Sequence, residues 1–317
     1  MRTRTFATLA LVAATALTGL PQFGYRAQAS TPTALPSPAS TALSTTPGGY
    51  LGVYERGVPQ TYSPVETFAR TVKRQPRLVL YFSGWGAQFQ AAFAQRAHSH
   101  GSIPLIQMNP TNISLAAITA GQYDAYLTSY ADQVRAYGYP VVIGFAHEMN
   151  GWWYSWGYGH TSPQVWKEAW RHIVTVFRSQ GATNVTWLWT IDRNPRALSV
   201  VPRYWPGASY VDWVGVDGYY FRSTDYFRTI FGPVIRTIRK FTHKPILLSE
   251  TAIGQVAGQA TKIPDLFSSA IRNRLLGVVW YDVAQHGGLY HQDWRLEGHP
   301  LALRRFRSWA SKMIAGG

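Results

Sequence analysis

Two glutamates in this chain stand where acid–base chemistry is favoured. Glu148 lies in HEMNGWWYSWGYGH, residues 147–160, with five aromatic rings packed into positions 152–158. Glu250 ends an apolar run, ILLSETA, at 246–252. A carboxyl walled by aromatic rings loses the solvation of its charged form and keeps its proton to higher pH. An unperturbed glutamate, with a pKa of roughly 4.3, is only about 0.2 % protonated at pH 7. Raising that value by two units costs about 2.7 kcal/mol, within reach of apolar walls and a like charge nearby. One carboxyl that holds a proton and a second that stays charged are what cleavage of a glycosidic bond requires. The first protonates the leaving oxygen, and the second captures the cationic sugar carbon. Glu148 is therefore expected to be the acid/base, shielded from water by Trp152, Trp153 and Tyr154. Glu250 is expected to be the nucleophile.

The aromatic residues have a second use. Sugar rings present flat C–H faces, and aromatic side chains offer rigid apolar area with few torsions to freeze. Trp85, Trp153, Trp156, Tyr158, Tyr219, Tyr220 and Trp280 all fall near expected strand ends and are candidate sugar contacts. Trp187 is expected in the core. Other chemistries fail on spacing. A zinc-protease helix needs H-E-x-x-H, but position 151 is Gly151. His286, His291 and His299 are irregularly spaced in a polar loop, so no metal site is expected, and no cofactor fingerprint is present. The chain has no cysteine, which excludes thiolate catalysis and thiolate metal sites.

The elements that must position these residues recur at regular intervals. Apolar, β-branched or aromatic runs occur at 50–57, 78–86, 103–110, 141–150, 185–192, 213–220, 246–252 and 277–283. Several are almost continuously apolar at the start and polar at the end, as in a parallel sheet covered by helices. Between them the helical pattern is clearest at 163–180, where Ser162 can cap, Pro163 fits the first turn and Gly181 can close. Eight strands alternating with helices predict an α/β fold, a closed (β/α)₈ TIM barrel in one catalytic domain. A doubly wound open sheet is the alternative. In such barrels the site sits at the C-terminal ends of the strands. The polar strand ends are Trp85, Asn109, His147-Glu148, Asp192, Asp217–Tyr219, Glu250 and Asp282, which the fold would gather into one bowl.

The first segment reads differently. Arg2 and Arg4 precede the apolar run 6–20, and Ala27-Gln28-Ala29 supplies an A-x-A site. That pattern predicts a secretory signal peptide over 1–29, and hence an exported, extracellular protein without stable membrane insertion. Residues 30–49 carry no charge and much Ser, Thr and Pro, which predicts a flexible linker. The barrel is then expected over 50–317, a length that suits one such domain, as a monomer. The net charge is +15 among 317 residues, but the arginines are scattered along the chain, so no nucleic-acid partner is expected.

HEMNGWWYSWG resembles the acid/base segment of glycoside hydrolase family 26, known chiefly for β-mannanases. The resemblance continues through WLWTIDRNP, VGVDGYY, KPILLSETA and GVVWYDV, and covers roughly residues 50–310. It implies a (β/α)₈ barrel, retention of anomeric configuration, no cofactor and a β-linked polysaccharide substrate, with mannan first. Matching positions imply Glu148 as acid/base and Glu250 as nucleophile. They also imply His147, Trp153, Tyr219 and Trp280 around the cleaved sugar, Asp217 beside them, and a Tyr219 phenol that orients Glu250. Many members carry an arginine shortly before the acid/base, where this chain has Gly144-Phe145-Ala146. Mixed-linkage β-glucan and β-xylan therefore stay open as substrates, as does a polysaccharide-binding barrel without catalysis.

Overall fold

Eight parallel strands close on themselves in chain order. The computed structural model describes residues 42–284 and 291–313. The expected signal peptide, most of the expected linker and His286 lie outside the described residues. The strands are β1 (Tyr50–Tyr54), β2 (Leu78–Gly84), β3 (Ile103–Asn109) and β4 (Val141–Phe145). They continue as β5 (Val185–Asp192), β6 (Trp213–Asp217), β7 (Ile246–Thr251) and β8 (Gly277–Tyr281). β8 returns to pair with β1, Tyr50 opposite Gly277 and Tyr54 opposite Tyr281, which rules out the open sheet. The (β/α)₈ barrel is the observed fold.

Strand parity sorts the side chains into two cores. Successive residues point to opposite faces, so Leu78, Leu80, Leu105, Val142, Leu188, Leu247 and Val279 fill the barrel in one cluster with Tyr50 and Trp213. Their neighbours Val79, Tyr81, Ile106, Ile143, Trp187, Trp189, Leu248 and Trp280 join the larger cluster between barrel and helices. The helix Pro163–Ser179 shows how the outer layer forms. Ser162 Oγ accepts from Val165 N at its start, Pro163 occupies the first turn, and Trp166, Trp170, Ile173 and Phe177 are all buried. Trp170 and Phe177 meet Trp187 edge-on from this face.

The chain packs onto the barrel before Tyr50, where the expected linker ended. Leu43 lies against the inner cluster, and Gly48 N donates to Leu275 O at 2.8 Å. The segment just before β1 is therefore fixed by the barrel's N-terminal end.

Candidate active site

The segment after β4 is bent at two non-glycine residues with left-handed backbone, Ala146 (φ 47°) and Glu148 (φ 54°). Such conformations are costly for residues with a Cβ and persist only where the surroundings enforce them. Here Ala146 N donates to Met108 O on β3, and Glu148 N donates to Thr190 O on β5, both at 3.0 Å. Asn150, buried, completes the brace. Its Nδ2 donates to Asp192 O at 2.8 Å and its Oδ1 accepts from Asp192 N at 2.9 Å. Held this way, the Glu148 side chain accepts from Trp153 Nε1 at 2.7 Å through Oε2.

Glu250 reaches the same bowl from β7. The register between β6 and β7 shifts at Asp217, which faces Glu250, and between β7 and β8 it shifts again before Thr251. Such irregularities re-aim side chains at barrel rims. Tyr219 OH donates to Glu250 Oε2 at 2.8 Å. Asp217 is fully buried beside it and accepts from Ser249 Oγ at 2.6 Å.

Burial controls the protons. Glu148, which keeps some exposure to the bowl, is pushed well above the ordinary carboxylate range by desolvation, then by the charges of Asp192 and Glu250. Trp153's hydrogen bond opposes that rise. Glu250 is pushed up to about 7 by desolvation, with Tyr219's hydrogen bond holding it lower and Asp192 raising it. Asp217 is also held well above its usual range by burial and by the two glutamates. Carboxyls pushed apart in this way separate a proton holder from a charge holder. Glu148 feels the like charges of Asp192 and Glu250, whereas Glu250 has the Tyr219 phenol as a donor, surroundings that favour a proton on the first and a charge on the second. The Tyr219 phenol is itself raised far above its ordinary value, so it stays a donor.

His147 lies just before Glu148, almost wholly buried, and desolvation lowers its pKa to about 3. It is a neutral imidazole at working pH. Its Nδ1 lies 3.0 Å from Asn109 Oδ1, which, as an acceptor, places the ring proton on Nδ1. The ring packs against Phe82, Tyr154 and Trp156.

Not every expected sugar contact faces the bowl. Trp153, 40 % exposed, and Tyr219 do line it with the two glutamates. Trp280 does not. It is fully buried on the outer face of β8 against Phe306, and its Nε1 donates to Trp294 O at 3.1 Å. Strand parity explains the correction, because its neighbour Tyr281 occupies the inward position. Tyr281 stacks on Tyr54 at 4.5 Å and meets Tyr219 edge-on. Trp156 is buried too, stacked on Tyr154 at 4.3 Å, with Nε1 donating 2.8 Å to His147 O. It supports the site from behind. Tyr220 is fully buried, with its hydroxyl on Asp265. Trp85 is half-buried and wedged among Tyr123, Tyr126 and Phe145. Asp282, expected in the bowl, accepts from Leu296 N and Trp280 Nε1.

The arginine missing before the acid/base also has a structural counterpart. A Cβ on Gly144 would collide with the Gln107 amide, and Phe145 points outward to Trp166 and Trp170. Gln107 Nε2 instead donates to Thr190 Oγ1 at 3.0 Å. A neutral amide occupies that part of the barrel floor. Tyr281 and Asn150 are the main site residues that the sequence reading overlooked. Counting alternate positions along β8 from Val279, an inner-core residue, would have picked out Tyr281. Asn150 carries no comparable signal.

A closed parallel barrel with its acids gathered at the C-terminal strand ends defines the (β/α)₈-barrel class. Within that class, residues 93–294 match the sequence profile of Glycosyl hydrolase family 26, and the chain belongs to that family. It is 30 % identical over 270 residues to Endoglucanase H of Acetivibrio thermocellus, covering 79 % of this chain and 29 % of that protein. To the mannan endo-1,4-beta-mannosidase of Bacillus subtilis (strain 168) it is 26 % identical over 203 residues, covering 57 % of this chain and 52 % of that one. The chain thus spans under a third of the first relative and about half of the second. The fold is shared with a modular endo-beta-1,4-mannanase from Cellulomonas fimi, with a TM-score of 0.66 at 18 % identity over 87 % of this chain and 78 % of that one.

Proposed function

We propose that this chain is an exported glycoside hydrolase that cleaves internal β-1,4-mannosidic bonds with retention of configuration. The observation that carries the reading is the pair of carboxyls at the ends of β4 and β7, each fixed by one aromatic donor: Trp153 on Glu148 and Tyr219 on Glu250. In the first step Glu148 gives its proton to the glycosidic oxygen while a Glu250 carboxylate oxygen bonds to the anomeric carbon. The C–O bond to the leaving sugar breaks. In the second step Glu148, now a carboxylate, takes a proton from water, whose oxygen displaces Glu250 from that carbon. Retention requires a carboxyl separation of about 5–5.5 Å, which leaves no room for a water between Glu250 and the anomeric carbon in the first step. Export rests on the leader-like pattern of residues 1–29. Mannan as substrate is supported by family membership and by the relatives named as mannosidases.

A second reading, the same chemistry on mixed-linkage β-glucan, is favoured by the extent of the match to a protein named Endoglucanase H. Gly144-Phe145-Ala146, where many family members carry an arginine, has only the neutral Gln107 amide against Gly144, which also fits an altered sugar preference. Incubating the purified domain with galactomannan, glucomannan, lichenan and xylan and assaying reducing ends separates the two. Release from the mannans supports the first reading. Release from lichenan alone replaces the substrate and keeps the mechanism, and no release from any polymer by folded protein rejects hydrolysis.

A further inference from the structure

Beside the acid/base, an indole stands in solvent on a braced loop. Trp152 is 69 % exposed, an unusual position for so large an apolar ring. Its backbone is nonetheless fixed. Gly151 N donates to Glu148 O and Tyr158 N to Met149 O, both at 2.8 Å, while His160 Nε2 lies 2.9 Å from Trp152 O. The loop is also pinched at its base. A Cβ on Gly157 would strike the Gly151 carbonyl, and one on Gly151 would strike the Trp153 ring. Glycine at both positions lets the two backbone segments touch and lets Trp153 lie across its own loop. Trp152 is therefore presented by a rigid support.

We propose that Trp152 is a binding platform for the sugar ring on the leaving-group side of the scissile bond, stacking on the C–H face of a neutral β-linked hexopyranose. The proposal rests on the hydrolase reading above. Trp152 meets Trp153 edge-on, centroids 6.2 Å apart at 72°, and Trp153 holds Glu148. The glycosidic oxygen that receives the Glu148 proton links the sugar attacked by Glu250 to the departing chain. Glu250 approaches from β7, so the sugar it attacks lies towards that strand. A ring one residue from Trp153 on the β4 loop is on the other side of the bond, where the departing chain must run. An indole already held in place stacks on that sugar with little further ordering cost.

The test compares two substrates that share the attacked sugars and differ in leaving group, mannohexaose and β-mannobiosyl fluoride, or the matching gluco pair if lichenan proves to be the substrate. Fluoride offers nothing to stack. With Trp152→Ala, kcat/KM on the hexasaccharide should fall at least tenfold more than on the fluoride, and Trp152→Phe should recover most of the difference. An unchanged ratio between the two substrates, with wild type active on both, overturns this inference alone. Wild-type protein inactive on both overturns the hydrolase reading and this inference with it.

Discussion

Tyr219 OH lies 2.8 Å from Glu250 Oε2, and it is the strongest influence holding that buried carboxyl below the value burial alone would impose. A donor on the charged form stabilises the carboxylate, so removing it raises the pKa. Glu250 must be charged to attack, and with its pKa at about 7 the acid limb of kcat/KM in wild type should fall near neutrality. Tyr219→Phe should move that limb to higher pH. A hydrogen bond to a charged group contributes about 1.5–3 kcal/mol, which corresponds to a shift of about one to two pH units. The alkaline limb, set by Glu148, should move far less.

The same burial makes the site costly to the folded state. Glu250 in the native protein titrates at about 7, above the ordinary glutamate value expected when unfolded. The native state then binds more protons between those values, so stability falls as pH rises through that window and levels off above it. Glu250→Gln, which carries no charge but can still accept from Tyr219, should raise Tm by a few degrees at pH 8. At pH 5, only just above the ordinary glutamate value, the gain should be much smaller. Thermal scans at both pH values check this, and an equal gain at both would contradict it.

Neighbouring residues on β8 should give opposite phenotypes. Trp280→Ala removes a fully buried indole from the outer core and should cost about 3–5 kcal/mol of stability. Tyr281→Phe keeps the stack on Tyr54 inside the bowl and should leave Tm within a few degrees while lowering turnover. Chemical denaturation and initial rates on the preferred polymer separate the two effects.

Asn150 should act through Glu148. Asn150→Ala breaks both bonds to Asp192 and leaves buried backbone groups unpaired, at a cost of about 1–3 kcal/mol each. The loop that carries Glu148 loses its hold on β5, so kcat should fall by more than tenfold with KM changed little. A KM effect alone would place Asn150 in binding rather than positioning.

The barrel itself was open to sequence reading because buried parallel strands are apolar almost throughout, and eight such runs recur between helices. The two glutamates were legible for the same reason, since each is an acid that ends an apolar run. Side-chain direction was harder to read. In a strand such as Gly277–Tyr281, GVVWY, no residue is charged, so composition does not mark which face meets the bowl, and Trp280 stood out over Tyr281 by its size and by its matching position in the resemblance. Trp156 and Tyr220 misled in the same way. Asn150 was hidden because its partner, the backbone of Asp192, belongs to another strand and leaves no trace in local pattern. The left-handed turns at Ala146 and Glu148 are likewise imposed by β3 and β5 and not by local residue preference.

The most direct test of the central claim, that Glu250 attacks and Glu148 supplies the proton, is azide rescue of Glu250→Ala. Azide should enter the space left by the carboxylate, restore turnover of an activated β-glycoside and yield a glycosyl azide of inverted, α configuration. Glu148→Ala treated alike should yield the β azide, formed from the covalent intermediate on Glu250. A β azide from the Glu250 variant, or near-normal activity in either variant without azide, would contradict the assignment.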